Sequence, residues 1–318
     1  MSAQTPILTV TLNPALDLSA RVERMVAGPK LRMSDPVMEP GGGGVNVARA
    51  IHELGGAVTA WVALGGTAGA QHGALLRAQG VDVHAFDAPG ETRSNWAITD
   101  AQGAQYRLQL PGPEWDAQAA EAALQDVSAQ SAALEVLSGS QPPGMAADFP
   151  QALARRLGAG RLIVDISGEA LRQSLGQPEA QARPHLLRMD QAESEAQMGH
   201  ALPGIAAAAE FATVLVARGV AEHVCIAQGA NGSVLAGPDG LALHCRPPEV
   251  AVKSKVGAGD SFTGGFTLAL AQGQAMAVAL QWGTAAAAAA VMTEGTELCR
   301  REDFTRLVPQ CRVSQLDA

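Results

Sequence analysis

The sequence predicts an α/β fold in which a doubly wound, mostly parallel sheet is flanked by helices. Three observations support this prediction. Short apolar runs alternate with segments of helical periodicity along the 318-residue chain. Several of these runs are apolar on both faces, which is typical of strands in a buried parallel sheet. Two glycine-rich loops lead into helical segments, and in such folds the loops at the carboxyl ends of the strands bind ligands.

The alternation assigns the elements in order. Strands are predicted at 7–12, 58–64, 134–138, 161–166 and 222–227, and helices at 45–54, 71–79, 117–130, 149–157 and 204–218. Segments 16–37 and 92–110 break the alternation, since they have poor helical periodicity and parts of them alternate apolar with polar residues. We expect them to form a small sheet that projects from a single domain covering residues 1–318. A pair of surface hairpins is the alternative.

Composition excludes several classes of function. Hydrophobic residues make up 47% of the chain, so disorder is not expected. The net charge of -9 without a long basic run argues against nucleic acid as a partner. The four cysteines form no Cys-x-x-Cys pair and have no spacing typical of zinc sites. The sequence shows no secretory signal pattern and no apolar stretch suited to a bilayer, so we expect no membrane partner and a cytoplasmic location.

The most informative motif is at 256–264, which reads Val-Gly-Ala-Gly-Asp-Ser-Phe-Thr-Gly and precedes a helical run at 262–272. The small residues Gly257, Ala258 and Gly259 let an anion approach backbone N–H groups at the start of a helix. Asp260 directly follows, where a carboxylate can accept a proton from an attacking hydroxyl group. These features favour phosphoryl transfer to an alcohol. A glycine-rich turn capped by Asp260 is the structural alternative.

A second motif at 39–49 reads Glu-Pro-Gly-Gly-Gly-Gly-Val-Asn-Val-Ala-Arg. Neither helix nor strand propensity accounts for four consecutive glycines. A helix is predicted directly after them, so this loop also places backbone groups at a helix start. Asn46, in the first turn, offers both a donor and an acceptor to sugar hydroxyl groups.

The two motifs, in this order and about 210 residues apart, resemble the ribokinase-like (PfkB) family of carbohydrate kinases. The resemblance covers nearly the whole chain, including segments 7–17, 139–144, 164–171 and 295–298. It implies a ribokinase-like fold in which the small sheet acts as a lid over the sugar and often as a dimer contact. Segments 30–32, 39–44 and 167–171 most resemble minor-type 6-phosphofructokinase. In 1-phosphofructokinase and tagatose-6-phosphate kinase the third residue of the glycine run is usually lysine, whereas this chain has Gly43.

The resemblance assigns a role to each candidate on the acceptor side of the site. Asp260 is the general base, and Gly257, Ala258 and Gly259 supply N–H groups for charge on the transferred phosphoryl group. The sugar pocket is formed by Asp17, Gly42, Gly43, Asn46 and Ser140. Because guanidinium and ammonium groups bind phosphate, Lys30, Arg93 and Arg107 are the candidates for the phosphate of a phosphosugar.

On the nucleotide side, Gln228, Gly229 and Gly232 match the family's ATP-binding turn. Glu193 matches the glutamate that orients water and Mg²⁺, so ATP and Mg²⁺ are implied, with Glu193 and Asp190 as metal ligands. The chain departs from the family pattern at three positions. Asp190 replaces asparagine, Arg188 stands where lysine is common, and Ala227 replaces a frequent serine. These changes put nucleotide affinity and metal dependence in question.

The function most favoured by the sequence is therefore ATP-dependent phosphorylation of fructose 6-phosphate at its 1-hydroxyl group, by a homodimer formed through the lid. A kinase for fructose 1-phosphate or tagatose 6-phosphate is the nearest alternative. A catalytically weak regulator that binds sugar phosphates on the same fold is an alternative of another class. A nicotinamide oxidoreductase is disfavoured, because no Gly-x-Gly-x-x-Gly follows the first strand.

Overall fold

The computed structural model describes residues 4–130, 132–158 and 160–316, so the ends of the predicted domain, 1–3 and 317–318, lie outside the described residues. In chain order the strands are β1 (Ile7–Thr11), β2 (Ala15–Val22), β3 (Val37–Gly41), β4 (Thr59–Leu64), β5 (Asp82–Asp87), β6 (Arg93–Asp100), β7 (Gln105–Gln109), β8 (Leu134–Gly139), β9 (Leu162–Ile166), β10 (Leu186–Asp190), β11 (His223–Ala227), β12 (Ser233–Ala236), β13 (Ala242–Arg246) and β14 (Arg312–Gln315). The helices are α1 (Gly43–Glu53), α2 (Gly66–Ala78), α3 (Ala117–Ala129), α4 (Phe149–Leu157), α5 (Gly168–Gly176), α6 (Gln191–Met198), α7 (Gly204–Ala217), α8 (Ala258–Ala271), α9 (Met276–Ala290) and α10 (Arg301–Leu307).

The main sheet has the predicted doubly wound form. Within the described residues its strand order is β14-β13-β12-β11-β10-β9-β8-β1-β4-β5. The strands from β11 to β5 run parallel, and β12, β13 and β14 add an antiparallel edge. Two large apolar clusters lie on the two faces of the sheet, and a smaller third cluster lies between α1, β4 and α2. The mixed α/β fold with a mostly parallel sheet is thus confirmed.

The strand order reverses at β1, which is the first strand of the chain and lies inside the sheet, third from the β5 edge. From β1 the chain proceeds outward through β4 and β5, and then crosses to β8 on the other side of β1. The carboxyl ends of β1 and β8 therefore form the switch point, where doubly wound sheets leave a crevice for ligands.

Each predicted strand and helix overlaps an observed one, but the boundaries move at functional positions. The helix expected at 262–272 begins four residues earlier, at Ala258, and the helix expected at 71–79 begins at Gly66. Sequence patterns missed α9, whose residues are mostly alanine and have almost no polar face, and the short strands of the antiparallel edge.

The small second sheet is also present, with the order β3-β2-β6-β7. Its strand β3 reaches Gly41, beyond the expected segment 16–37, and leads directly into the glycine loop. Strand register places Asp17 on β2 opposite both Glu39 on β3 and Asn95 on β6. Since paired residues share a face of a sheet, these polar side chains lie on one face.

Close packing of α8 against α1 and α9 sets the position of the site. A Cβ atom at Gly264 would lie 2.9 Å from Cβ of Ala50 on α1, and one at Gly265 would lie 2.8 Å from the carbonyl oxygen of Trp282 on α9. The glycines therefore allow the two helix starts, at Gly43 and Ala258, to approach each other. Among the described residues, no helix is long and apolar enough to cross a membrane.

Candidate active site

The site is built around the amino terminus of α8. Gly257 precedes the helix with φ of 74°, a left-handed conformation that glycine adopts without steric cost. The N–H group of Ser261 makes the first helical bond, to the Gly257 carbonyl oxygen at 2.8 Å. The N–H groups of Ala258, Gly259 and Asp260 precede that bond and have no partner in the helix. They form, with the helix dipole, a site suited to an anion.

Asp260 lies in this first turn and faces Asn46 in the first turn of α1. The Asn46 Nδ2 atom donates to Oδ2 of Asp260 at 3.0 Å. Burial raises the pKa of Asp260 to about 7, and the nearby Asp165 carboxylate adds to this effect, while the Asn46 hydrogen bond, Arg188 and Arg49 oppose it. A carboxyl group with a pKa near neutrality can both accept and release a proton under physiological conditions.

Arg188 on β10 supplies a cation behind the same helix start. Its guanidinium group is 12% exposed and pairs with Asp165 on β9 at 3.3 Å. Asp165 also accepts a hydrogen bond from Thr263 on α8 at 2.8 Å. A Cβ atom at Gly259 would lie 2.9 Å from an Arg188 nitrogen, so the absent side chain lets the guanidinium group reach the loop. Positive charge therefore adjoins the unpaired N–H groups.

The glycine loop lies over the switch point of the main sheet. A Cβ atom at Gly43 would lie 2.6 Å from the Gly139 nitrogen at the end of β8, and one at Gly44 would lie 2.6 Å from the Val10 carbonyl oxygen on β1. Gly42 has φ of 125°, which side-chain-bearing residues rarely adopt. The four glycines thus seat the start of α1 directly on the sheet and bring Asn46 to Asp260.

Asp17 connects the small sheet with this loop. Its Oδ1 atom accepts a hydrogen bond from Asn95 at 3.0 Å, and a Cβ atom at Gly41 would collide with its carboxylate. Burial raises the pKa of Asp17, and so does Glu39, while Asn95, Arg93 and Arg107 oppose the rise. The structure therefore groups Asp17 with two of the three predicted phosphate-binding cations.

Arg93 is held at the base of the small sheet. It donates to the carbonyl oxygens of Leu110 at 2.8 Å and Asn13 at 3.1 Å, and approaches Oγ of Ser140 at 3.5 Å. Its Nε atom is buried without a hydrogen-bond partner among the described residues. Ser140 thus lies beside Arg93, as a shared pocket edge requires.

Arg107 and Lys30 are in more open positions. Arg107 lies on the exposed strand β7, in register with Ala97 on β6 and on the Asp17 face. Lys30 is exposed in the irregular segment 23–36, and within the described residues it makes no ion pair. Its predicted phosphate contact remains a prediction.

The predicted metal ligands Asp190 and Glu193 form a capping box at the start of α6. Glu193 N–H donates to Oδ1 of Asp190 at 2.8 Å, and Asp190 N–H donates to Oε2 of Glu193 at 2.9 Å. Each carboxylate keeps one oxygen outside this exchange. Burial raises the pKa of Glu193, and the Asp190 and Asp165 carboxylates add to the rise. The hydrogen bond from the backbone N–H group of Asp190 opposes it. A cation would relieve this repulsion.

The turn after β11 contains the three predicted nucleotide residues. Gln228 is 3% exposed, and its Nε2 atom is buried without a hydrogen-bond partner among the described residues. Gly229 and Gly232 both have positive φ. Gly232 also has a packing role, because a Cβ atom there would lie 2.0 Å from the Cys245 carbonyl oxygen.

Sequence reasoning assigned no role to Asp165, Asn95 or Arg49, although the structure places all three in the network around the site. Asp165 had a signal, because it is a lone carboxylate within the otherwise apolar strand Leu162–Ile166. Asn95 and Arg49 had no such signal in the sequence. The partner of Asn95, Asp17, is distant in the sequence, and the contact of Arg49 with Asn46 depends on which way the Asn46 side-chain amide points.

Together, the elements supply a carboxyl group whose pKa lies near neutral pH, an anion site at the start of a helix, a buried cation and a polar pocket under a small sheet. This set can position a hydroxyl group, accept its proton and stabilise a phosphoryl group in transit.

Comparisons with known proteins agree with this chemistry. The pattern of the pfkB family of carbohydrate kinases matches residues 10–303. ATP-dependent 6-phosphofructokinase isozyme 2 of Mycobacterium tuberculosis is 36% identical over 305 residues, covering 94% of this chain and 88% of that protein. A 1-phosphofructokinase of Xanthomonas campestris pv. campestris is 36% identical over 273 residues, covering 83% of each chain.

Solved structures extend the similarity to the fold. A crystal structure of phosphofructokinase-2 from Escherichia coli in complex with potassium superposes with a TM-score of 0.88 and 33% identity, covering 96% of this chain and 99% of that one. The match in family pattern, sequence and fold extends over nearly the full length, and it includes both glycine motifs. The chain belongs to the pfkB family of carbohydrate kinases.

Proposed function

We propose that this enzyme transfers the γ-phosphoryl group of ATP to a ketohexose phosphate, with fructose 6-phosphate as the preferred acceptor and fructose 1,6-bisphosphate as the product. The observation that carries the proposal is Asp260, whose pKa is raised to about 7 within a helix turn of unpaired N–H groups. Relatives at 35–36% identity are named 6-phosphofructokinase isozyme 2, which supports the choice of acceptor.

In the proposed reaction the acceptor hydroxyl group lies against Asp260. Its oxygen attacks the γ-phosphorus, the bond to the bridging oxygen of ADP breaks, and the hydroxyl proton passes to the Asp260 carboxylate. The N–H groups of Ala258 and Gly259 and the guanidinium group of Arg188 stabilise the equatorial oxygens during transfer. Only the ionised form of Asp260 can act, so activity rises with pH through about 7.

Mg²⁺ fits the acidic end of the site. Asp190 and Glu193 each retain one carboxylate oxygen outside the capping box. Burial raises the pKa of Glu193 most, and the Asp190 and Asp165 carboxylates add to the rise. These residues would hold the ion through its water shell, since Mg²⁺ dehydrates reluctantly. The ion, when bound, supplies charge neutralisation for the phosphate oxygens.

The turn after β11 fits the nucleotide. The buried, unpartnered Nε2 atom of Gln228 is a donor that a bound ligand would satisfy. Gly229 and Gly232 present backbone without side chains beside it. Arg188, in place of the common lysine, retains a positive charge next to Gly259.

The acceptor phosphate is assigned to Arg93 and Arg107 beside Asp17, with Lys30 approaching from the exposed segment. Gly43 supports fructose 6-phosphate over the two other ketose phosphates. A Cβ atom at that position would lie 2.5 Å from Oγ of Ser138, so the observed loop has no space for the lysine that is usual in the other two enzymes.

We assign the small sheet as a lid and as the contact of a homodimer. Strand register places Met38, Leu18, Trp96 and Leu108 in one row, on the face opposite Asp17. Met38 and Leu108 remain 39% and 54% exposed, and Tyr106 shares their face. A second copy would cover this apolar surface. Light scattering of wild-type protein and Leu108→Lys tests this assignment, because a dimer that persists in the variant contradicts it.

The acceptor assignment is tested by ADP release with Mg-ATP and fructose 6-phosphate, fructose 1-phosphate, tagatose 6-phosphate and unphosphorylated fructose, with the product identified by NMR. We expect the highest kcat/KM with fructose 6-phosphate and a phosphate on the former 1-hydroxyl group. Preference for fructose 1-phosphate, the acceptor named by relatives such as that of Xanthomonas, would replace our acceptor assignment. Binding of sugar phosphates without turnover would indicate a regulator instead.

A further inference from the structure

A chain of hydrogen bonds leads from Asp260 through Asn46 and along α1, and ends in the small sheet. Asp260 accepts from Nδ2 of Asn46, and Oδ1 of the same amide accepts from Arg49 at 3.2 Å. Arg49 then pairs with Glu39 on β3 at 3.2 Å. Glu39 also accepts from the hydroxyl group of Thr296, in the segment that follows α9.

Arg49 is held on every side, which makes it a rigid donor. Its Nε atom donates to Oε1 of Gln79 at 2.7 Å, and NH1 also approaches the Pro40 carbonyl oxygen at 3.4 Å. Its side chain is 13% exposed. A planar guanidinium group can satisfy these acceptors simultaneously, whereas an ammonium group on a flexible stem cannot reproduce the fork.

The direction of the Asn46 amide depends on this fork. A side-chain amide has an NH2 group that donates and an oxygen that accepts. A rotation that exchanges their positions costs little free energy unless a neighbouring group favours one orientation. Arg49 can only donate, so it requires Oδ1 on its own side. The donor Nδ2 is then directed at Asp260, where it stabilises the ionised carboxylate more than the protonated acid, because a hydrogen bond to a charged acceptor is the stronger one.

We propose that Arg49 is a positioning residue for phosphoryl transfer, which sets the Asn46 amide so that its N–H group is directed at the Asp260 carboxylate. This inference rests on the proposed function of Asp260 as the base. Glu39 anchors Arg49 to β3, where Glu39 is paired with Asp17 of β2. The base and the small sheet therefore belong to one hydrogen-bond network. Without Arg49 the amide can turn, and its oxygen then favours protonated Asp260.

The charged surroundings are defined on both sides of the network. Asp165 and Arg188 face Asp260 from β9 and β10, and the positive charge of Arg49 on α1 also lowers the pKa of Asp260. Arg49 lines a cleft of about 370 Å³ whose other charged or titratable walls are Glu39, His52, Glu53, Glu297, Cys299 and Arg300. Arg300 pairs with Glu297 at 2.6 Å, and no contact joins it to Asn46 within the described residues, so it is a matched control in the same cleft.

The first test is the pH profile of kcat for wild-type protein, Arg49→Met and Arg300→Met with fructose 6-phosphate and Mg-ATP. Loss of one charge-assisted hydrogen bond to the amide is expected to move the acid limb upward by about one pH unit in Arg49→Met, and activity should recover at high pH. The profile of Arg300→Met should match that of wild type. A uniform loss of kcat without a shift of the limb would overturn the positioning role.

A second test needs no turnover and separates this inference from the proposed function. The carboxyl carbon of Asp260, assigned by its loss in Asp260→Asn, is titrated by ¹³C NMR in wild type, Arg49→Met and Arg49→Lys. The midpoint should rise by about one unit in Arg49→Met, which loses both the positive charge and the fork. It should also rise in Arg49→Lys, which keeps the charge and loses only the fork, so the shift in Arg49→Lys reports the direction of the amide. Arg49→Lys also serves if Arg49→Met does not fold. An unchanged midpoint in a folded variant contradicts the inference, whereas a shifted midpoint in a protein without kinase activity contradicts only the proposed function.

Discussion

The catalytic centre and the small sheet supply the two halves of the site in different ways. Asp260, Arg188 and Asp165 project from α8, β10 and β9 in the core, and hydrogen bonds or ion pairs hold each of them. Arg107 and Lys30, on the small sheet and its connecting segment, are exposed. The difference is consistent with the proposed roles: the groups assigned to the transferred phosphoryl group are preorganised, whereas two of the three cations assigned to the substrate phosphate are open to solvent and only Arg93 is held.

The largest expected effect is a loss of kcat on substitution of Asp260, in the catalytic half of the site. Asp260→Asn keeps the shape and the position of the side chain but removes the proton acceptor, so kcat should fall by about 10³-fold, while the KM values change little. Steady-state kinetics with both substrates measure this effect. Asp239→Asn, at an exposed turn, is the control. A comparable rise in KM with only a small loss of kcat would remove Asp260 from its assigned role.

Substitution in the small sheet should act on binding instead. Arg107→Ala should raise the KM for the sugar phosphate by about 10- to 100-fold, the range expected for one charged hydrogen bond, and should leave kcat within about tenfold of wild type. Lys30→Ala tests the third cation, and Arg24→Ala, in the same exposed segment, is the control. Equal effects of Arg107→Ala on phosphorylated and unphosphorylated fructose would contradict the phosphate contact.

Substitution in the glycine loop, which lies between the two halves, should lower the stability of the protein. Gly43→Ala places a Cβ atom against backbone of β8, so we expect a loss of about 2 kcal/mol in the free energy of unfolding, as for overpacked sites. Urea unfolding measures the difference. Gly176→Ala is the matched control, because its new methyl group would meet nothing within 4 Å and its φ is not positive. Equal stability of both variants would show that the loop can relax.

The last expected effect is on the free energy of unfolding, which depends on pH because the base is buried. The pKa of Asp260 is about 7 in the folded protein and near 3.8 when unfolded, so the folded state holds the proton more tightly. Stability therefore falls as pH rises from about 4 to about 7. Asp260→Asn removes this loss and should be more stable than wild type by about 2 kcal/mol at pH 8, with a smaller difference at pH 4. Thermal unfolding at both pH values would expose the opposite trend.

Local patterns predicted much of the parallel sheet, because buried strands and their connecting helices differ in hydrophobic period. The same patterns failed at α9, which is nearly all alanine and buried on most sides, and at α8, whose first turn is made of residues with no hydrophobic period. The antiparallel edge, whose strands have four or five residues each, was also missed.

The sequence by itself determined which residues are candidates for the chemistry: Asp260 behind its three small residues, the glycine run, and the cations of segments 16–37 and 92–110. These are local features, in which residue type and immediate neighbours are sufficient. Only the tertiary structure decided that α1 meets α8, that Asp165 and Arg188 lie behind the anion site, and that Arg49 donates a hydrogen bond to the Asn46 amide. Those contacts join residues far apart in the chain or depend on side-chain direction, and the pKa of Asp260 follows from the burial and charge that they create.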